Sequence, residues 1–537
     1  MSKGWCPSML KAVIVLFILF LLIAVWSSRR KQKPSPKEKD LRQVKSNAGD
    51  SARKVIFIMI DSLMAEAVDR GLEQKELPTF QFLIERGQYY KDMVTSFPTM
   101  SVTIDSSLLT GAYPDRHHVP GLNWYSVQDK KLINYGTGPA EVIKIGVNQV
   151  MADALMHLNG SHLNPELPTI YEDLSRAGKK TGSINGLIYR GPVPHTLSLP
   201  AWMHGPTSMP ESISVKGPDF LALGSLTNPL EGIEDLPGSI IHRLGINSEF
   251  SISTASYLIR ENKLPDFLYI YLPDMDQQIH KKGPSDLKSL KDADHQLQTL
   301  LQNFGSLENA LEKAIIVIIG DSGMTEILPA NENPVVELFP LLQAFNVYRQ
   351  GEAMTDETEI VLGVNETMAY VYNLKAREAR DIAEAIRADS RIDIIAWRDG
   401  EWICVSNGAS KELRFKTGGE LTDTYKQSWT MEGEPQALDL KINHERQTLD
   451  YERYPDVLQR LYGALHSHDG DFLVVTAKPG YELADQHSPT HKGGGSHGSL
   501  GHAESLVPLI ISGTEERPEN LRIVDLKAFL QKLVTKQ

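Results

Sequence analysis

Three apolar runs in this chain each lead into aspartate, and that repetition constrains the fold more than any other feature. Val55 to Ile60 ends in Asp61, Phe267 to Leu272 is followed by Pro273, Asp274 and Asp276, and Ala314 to Gly320 ends in Asp321. Apolar runs without alternation fit strands buried on both faces, and such strands belong to parallel sheets covered by helices. Open sheets of this kind bind ligands just beyond the carboxyl ends of their strands, so the pattern predicts carboxylates converging on one edge. A single aspartate after a strand is usually a turn former or a helix cap. Three of them, with histidines elsewhere in the chain, point to a site for a multivalent cation.

The segments between these runs read as helices. Leu77 to Gly87 places Phe80, Leu83 and Ile84 on one face, with Gly87 at the position of a C-terminal cap, and Leu167 to Gly178 repeats the pattern before Thr181 to Gly186. Recurring helix and strand units predict an α/β fold with a doubly wound, mostly parallel sheet. Residues 330–465 differ. Ala369 to Asn373 and Ile394 to Arg398 alternate, and Ala376 to Ile386 is helix-like, so this stretch is expected to be a small α+β insertion with no evident catalytic cluster. Phe472 to Thr476 and Leu506 to Ser512 are expected to return the chain to the main sheet. The main domain would therefore comprise residues 54–329 and 466–537.

The first residues call for a different account. Ala12 to Ser28 carries no charge and is long enough, at about 1.5 Å per residue, to span a bilayer core, with Trp5 and Trp26 near the interfaces. Residues 1–28 are accordingly expected to form a single membrane anchor, and 29–53, basic and containing Pro and Ser, a solvated tether. The six basic side chains from Arg29 to Lys39 favour a cytoplasmic carboxyl side by the positive-inside bias. A net charge of -13 with no basic cluster in the folded part excludes a nucleic-acid polymer as partner. With only Cys6 and Cys404, a disulfide framework or cysteine metal site is excluded too.

The nucleophile candidate lies in Phe97 to His117. Ser101 sits in a Ser/Thr-rich segment before an apolar helical turn, where free backbone N–H groups favour an anionic substrate. Thr99 and Thr103 are the alternative hydroxyls. Asp276 and His280 are four residues apart, on one face of a helix, as a shared ligand pair requires. His497, in the glycine-rich stretch from His491 to Gly501, is a candidate to complete that set, because glycine lets the backbone approach an ion or phosphate closely.

With these motifs the chain resembles the nucleotide pyrophosphatase/phosphodiesterase branch of the alkaline phosphatase superfamily, over most of residues 54–325 and 470–513. The resemblance implies a two-metal phosphodiesterase or phosphatase acting through a covalent phospho-enzyme, on a phosphoester substrate. It implies zinc bound by Asp276, His280 and His497, a second divalent ion bound by Asp61 and Asp321, and Ser101 as the nucleophile touching that second ion. Thr110 to His117 is similar to the segment that follows the family's nucleophile. Such enzymes usually work outside the cytoplasm, which implies an extracytoplasmic catalytic domain against the charge bias.

Two positions depart from the family pattern. Ser322 follows Asp321 where the family has histidine, which leaves a hydroxyl at best as the third ligand of the second ion. That site is expected to bind weakly, to prefer manganese or magnesium, to borrow His491 or His502, or to be empty. Leu122 stands where the family places a phosphoryl-binding asparagine, with Asn123 one residue later as the substrate-binding candidate. The departures leave open a catalytically weak or inactive relative with a binding or envelope-associated role. A transferase moving phosphoglycerol-type units is open as well, since an alcohol can resolve the covalent intermediate.

Overall fold

The computed structural model describes residues 53–200, 207–238, 245–409 and 411–536. The expected anchor and tether lie outside the described residues, among which no helix is long and apolar enough to cross a membrane.

The three apolar runs are adjacent strands of one seven-stranded sheet. From edge to edge it runs Gly87–Val94, Leu506–Ser512, Ala314–Gly320, Lys54–Ile60, Phe267–Leu272, Thr181–Ile184 and Phe220–Ala222. The Lys54–Ile60 strand is parallel to both neighbours, and Leu506–Ser512 runs antiparallel to both of its own, so the sheet is mixed. Side chains of Lys54–Ile60 divide between two cores. Ile56, Ile58 and Ile60 pack under helices that include Pro78–Glu85 and Ser248–Arg260. Val55, Phe57 and Met59 pack under Ser101–Thr110 and Leu526–Thr535. Burial on both faces is why these strands lack alternation.

Register places the acids. Ile60 lies opposite Gly320 on one side and Leu272 on the other, so Asp61 and Asp321 emerge side by side one residue later, next to the start of the Asp274–Lys282 helix. The expected helix at Leu167 to Gly178 forms as Ile170–Arg176, with Thr169 and Glu172 in a reciprocal capping box. Gly87 corrects its expectation. It opens a strand rather than capping a helix, and it is required because a Cβ there would strike the Ile511 carbonyl of the neighbouring strand.

A second sheet of nine strands holds the expected insertion, and here one expectation fails. Phe472–Ala477 does not rejoin the main sheet but lies between Met368–Asn373 and Ile392–Asp399, antiparallel to both. The alternation read in Ala369 to Asn373 is not exposure: the whole strand is buried, with Tyr370 and Tyr372 in one core and Ala369 and Val371 in the other. The core that takes up Tyr370 and Tyr372 also contains Phe97 and Tyr125, so the second sheet packs directly on the main domain. At the tip of the Ile360–Asn365 and Met368–Asn373 hairpin, Glu366 adopts a left-handed φ of 58°.

Candidate metal centre

The Asp274–Lys282 helix carries Asp276 and His280 on one face, as their spacing predicts. His280 Nε2 lies 3.2 Å from Asp276 Oδ1, and His497 Nε2 lies 3.6 Å from the same oxygen. Both imidazoles are fixed by backbone. His280 Nδ1 donates to the Gly495 carbonyl at 2.8 Å and His497 Nδ1 donates to the Thr99 carbonyl at 2.5 Å. A carbonyl only accepts, so Nδ1 carries the proton in each ring, and the Nε2 atoms facing Asp276 are the ones able to ligate. The glycines of this loop are needed for close approach: a Cβ at Gly494 would run into the His280 carbonyl. Asp276, His280 and His497 have ligand atoms within 4.8 Å of one another, a donor set that suits a zinc-like ion.

Without an ion these side chains hold one another by charge. Burial works against a charged His280, yet the Glu366 and Asp276 carboxylates outweigh it and push the imidazole up to about 9. The same contest, with Glu366 and Asp276 again prevailing over burial, takes His497 up to about 10. Burial alone would raise Asp276, but His280 and His497 hold it well below the usual carboxylate range.

The second group is made of oxygen alone. Asp321 Oδ1 accepts from the backbone N–H of Ser62 at 2.8 Å and of Ser322 at 2.7 Å. Asp61 Oδ2 accepts from the Tyr271 hydroxyl. The remaining atoms, Asp61 Oδ1, Asp321 Oδ2 and Ser322 Oγ, are buried with no hydrogen-bond partner among the described residues. Burial raises Asp61 well above an ordinary aspartate, and repulsion from Asp321 and Asp276 adds to it. Orphaned buried oxygens beside two acids fit a hard, oxygen-ligated cation. Ser62 links the groups, since its Oγ donates to Asp276 Oδ1 at 2.9 Å while its N–H serves Asp321.

Ser101 opens the Ser101–Thr110 helix, two residues after the carbonyl that holds His497. It is partly exposed, and its hydroxyl makes no hydrogen bond to a described residue. The alternatives are buried: Thr99 Oγ1 accepts from the Gly498 N–H at 2.7 Å, and Thr103 Oγ1 is enclosed without a partner among the described residues. The Asn123 backbone N–H donates to Asn365 Oδ1 at 3.0 Å, beside Glu366. Asn123 is fully buried, and its Nδ2 donates to Glu141 Oε1 at 2.6 Å. His491 is not with Asp321 but against His280, with ring centroids 4.2 Å apart, and it meets Glu482 at 3.2 Å. His502 is exposed at the start of the His502–Ser505 helix.

Sequence reasoning missed Glu366. Its Oε1 lies 3.7 Å from His280 Nε2, and its Oε2 accepts from Ser496 Oγ at 2.7 Å and the His497 N–H at 3.2 Å. Glu366 belongs to the insertion, which was expected to carry no evident catalytic cluster, and it brings a carboxylate beside His280. Nothing in the sequence singles it out, and only the structure shows it at a hairpin tip with a left-handed φ.

Residues 55–500 match the family described as type I phosphodiesterase / nucleotide pyrophosphatase. No curated protein matches the chain. Among solved structures, murine ectonucleotide pyrophosphatase / phosphodiesterase 5, in an inactive form complexed with AMP, is 14% identical with a TM-score of 0.51, covering 90% of this chain and 95% of that one. Phosphonoacetate hydrolase from Sinorhizobium meliloti, complexed with phosphonoformate, is 16% identical with a TM-score of 0.54, covering 90% and 96%. At these identities the likeness is one of fold.

Proposed function

The chain belongs to the type I phosphodiesterase / nucleotide pyrophosphatase family, a family of phosphoric ester hydrolases, and from that membership and the geometry above we propose a metal-dependent phosphoesterase with Ser101 as its nucleophile. One observation carries the reading. The backbone that presents Ser101 is hydrogen-bonded through Thr99 to His497, so the free hydroxyl and the cation-binding side chains are held in one unit. Bound ions would lower the pKa of the Ser101 hydroxyl and neutralise phosphoryl oxygens.

Ser101 Oγ loses its proton and attacks phosphorus, the ester P–O bond breaks, and the leaving alcohol departs. Water then attacks the phosphoseryl group and returns Ser101. Asp276, His280 and His497 would hold one ion, and Asp61 and Asp321, with Ser322 in place of a histidine, the other. The neighbours' complexes with AMP and phosphonoformate support a small phosphate or phosphonate as the class of ligand. The uncharged stretch Ala12 to Ser28 supports a membrane tether, and the usual location of the resembled family, against the charge bias, supports a catalytic domain outside the cytoplasm. Cleavage of that domain by protease added to intact cells would support this placement, and resistance would count against it.

Ser322 favours a second reading, a weakly active relative whose oxygen-only group binds its ion poorly. Hydrolysis of chromogenic phosphate mono- and diesters by the metal-loaded full chain separates the two. The first reading predicts turnover that falls at least about 10³-fold in Ser101→Ala. Undiminished turnover in that variant, or trapped phospho-enzyme mapped to another residue, would overturn it.

A further inference from the structure

We propose that Glu504 is a positioning residue of the candidate centre, whose carboxylate sets the His497 loop against the Asp321 turn and the Ser101 segment and acts through them rather than on the reacting atoms. The inference rests on the metal-dependent reading with Ser101 as nucleophile. Glu504 lies in the short His502–Ser505 helix and is 3% exposed. Its carboxylate accepts from three separate segments. Oε1 takes the Thr325 hydroxyl at 2.8 Å, and Oε2 takes the Thr367 hydroxyl at 2.8 Å and the Ser499 N–H at 2.6 Å.

Each of those partners stands beside a group already placed in the centre. Ser499 follows His497 by two residues, and Gly498 between them donates its N–H to Thr99 Oγ1 while His497 Nδ1 donates to the Thr99 carbonyl. Thr99 in turn precedes Ser101 by two residues. Thr325 follows Ser322 by three residues and pairs as a strand with Ser496, next to His497. The Thr367 N–H donates to the His497 carbonyl at 3.1 Å. The Glu504 backbone closes the arrangement, because its carbonyl accepts from the Gly323 N–H at 3.0 Å, directly after Ser322. That approach leaves no room for a side chain: a Cβ at Gly323 would run into the Ala503 carbonyl.

A buried carboxylate is a costly way merely to fill a core. Glu504 gives up its hydration for three neutral donors and forms no ion pair among the described residues. What it supplies in return is direction. Gly494, Gly495, Gly498 and Gly501 give the loop around His497 little stiffness of its own, and the bonds to Ser499 and Thr367 hold it from outside. An apolar side chain of similar size would fill the space but leave the Ser499 N–H and two hydroxyls without an acceptor. His497 and Thr99 would then lose their fixed relation, and the ion ligands and the nucleophile would shift against each other. A misplacement of about 1 Å can cost on the order of 10²-fold in rate.

The test uses the full chain with Glu504→Ala, the near-isosteric Glu504→Gln, and Leu449→Ala, a core variant near the opposite edge of the second sheet from Ile360–Asn365. Zinc affinity is read by competition with a chromogenic chelator, and turnover with bis-p-nitrophenyl phosphate. Glu504→Ala should lower zinc affinity at least about 10-fold and kcat on the order of 10²-fold, with KM changed less than about 3-fold. Glu504→Gln keeps an acceptor for Ser499 and Thr367 and can donate to the Thr325 hydroxyl, so it should restore affinity and kcat to within about 3-fold of wild type. Leu449→Ala should lower the melting temperature and leave both values in place. Wild-type zinc affinity and turnover in Glu504→Ala, or an equal loss in Leu449→Ala, would reduce Glu504 to a role in stability and overturn the inference. If Glu504→Ala does not fold, Thr325→Val and Thr367→Val decide by the same readings, and wild-type values in both overturn it. Turnover abolished in Ser101→Ala but kept in Glu504→Ala would sink this inference alone. Undiminished turnover in Ser101→Ala, or a wild type that takes up no zinc, would remove the proposed function and this inference together.

Discussion

The two halves of the candidate centre solve the same electrostatic problem in opposite ways. Around Asp276 each carboxylate faces imidazole, and the charges balance internally even without an ion. Around Asp321 there is no imidazole, and three buried oxygens remain without partners among the described residues. The first group is stable as a set of ion pairs and exchanges protons for an ion. In the second, burial first and then repulsion from Asp321 and Asp276 raise the Asp61 carboxyl well above an ordinary aspartate, with no imidazole to offset them. A group that offers serine and carboxylate oxygen and no imidazole suits a different ion from one that offers two imidazoles.

Replacing Asp276 should break the comparison most severely, because its Oδ1 meets His280, His497 and Ser62 together. Asp276→Asn is expected to lower zinc affinity by at least about 100-fold, read by competition with a chromogenic chelator. Retained tight binding would mean that the ion, if any, sits elsewhere.

Ser322→His sharpens the comparison by restoring an imidazole to the oxygen-only group. Zinc affinity there should rise on the order of 10-fold, with higher turnover at low metal. Because Ser322 is fully buried, the larger side chain should cost about 1–3 kcal/mol in the ion-free protein, measured by denaturant unfolding. Equal affinity and equal rates in the two proteins would show that Ser322 does not face the ion.

Proton linkage gives a smaller effect with a definite sign. His280 and His497 have folded pKa values raised to about 9 and about 10 from an ordinary 6.5. Their contribution to ion-free stability is complete below pH 6.5 and is lost as pH rises through 9 to 10. An ion needs the neutral rings, so loaded protein gains where ion-free protein loses. The difference between their melting temperatures should widen between pH 7 and 9 by on the order of 5 °C. A constant difference would contradict the internal pairing. Asp105 supplies a control on that slope. Burial pushes it up to about 7, and Tyr269 donates to it at 2.5 Å. Its stabilising contribution is present below pH 3.8 and lost through pH 7, so Asp105→Asn should flatten the pH 4–7 limb of the stability curve by up to about 4 kcal/mol and leave the pH 7–9 limb unchanged.

What was legible in the sequence follows from which interactions are local. Asp61, Asp321 and Asp276 could be placed on one edge because buried parallel strands are recognisable from their composition and their register carries the next residue with it. His280 followed from helical spacing. Phe472–Ala477 was misplaced because a strand covered on both faces has the same composition in either sheet, and only pairing decides between them. Glu366 was invisible for a related reason. It reaches the centre through the docking of one sheet against another, and nothing near it in sequence marks one acid among many.

The central claim is that this centre holds two unlike cation sites, and ion binding to the chelator-stripped full chain tests it most directly. Calorimetric titration with zinc and then manganese, checked by elemental analysis, should give one zinc that resists mild chelation and one weaker site that also accepts manganese or magnesium. Two zinc ions of equal affinity, or no bound ion at all, would contradict the account.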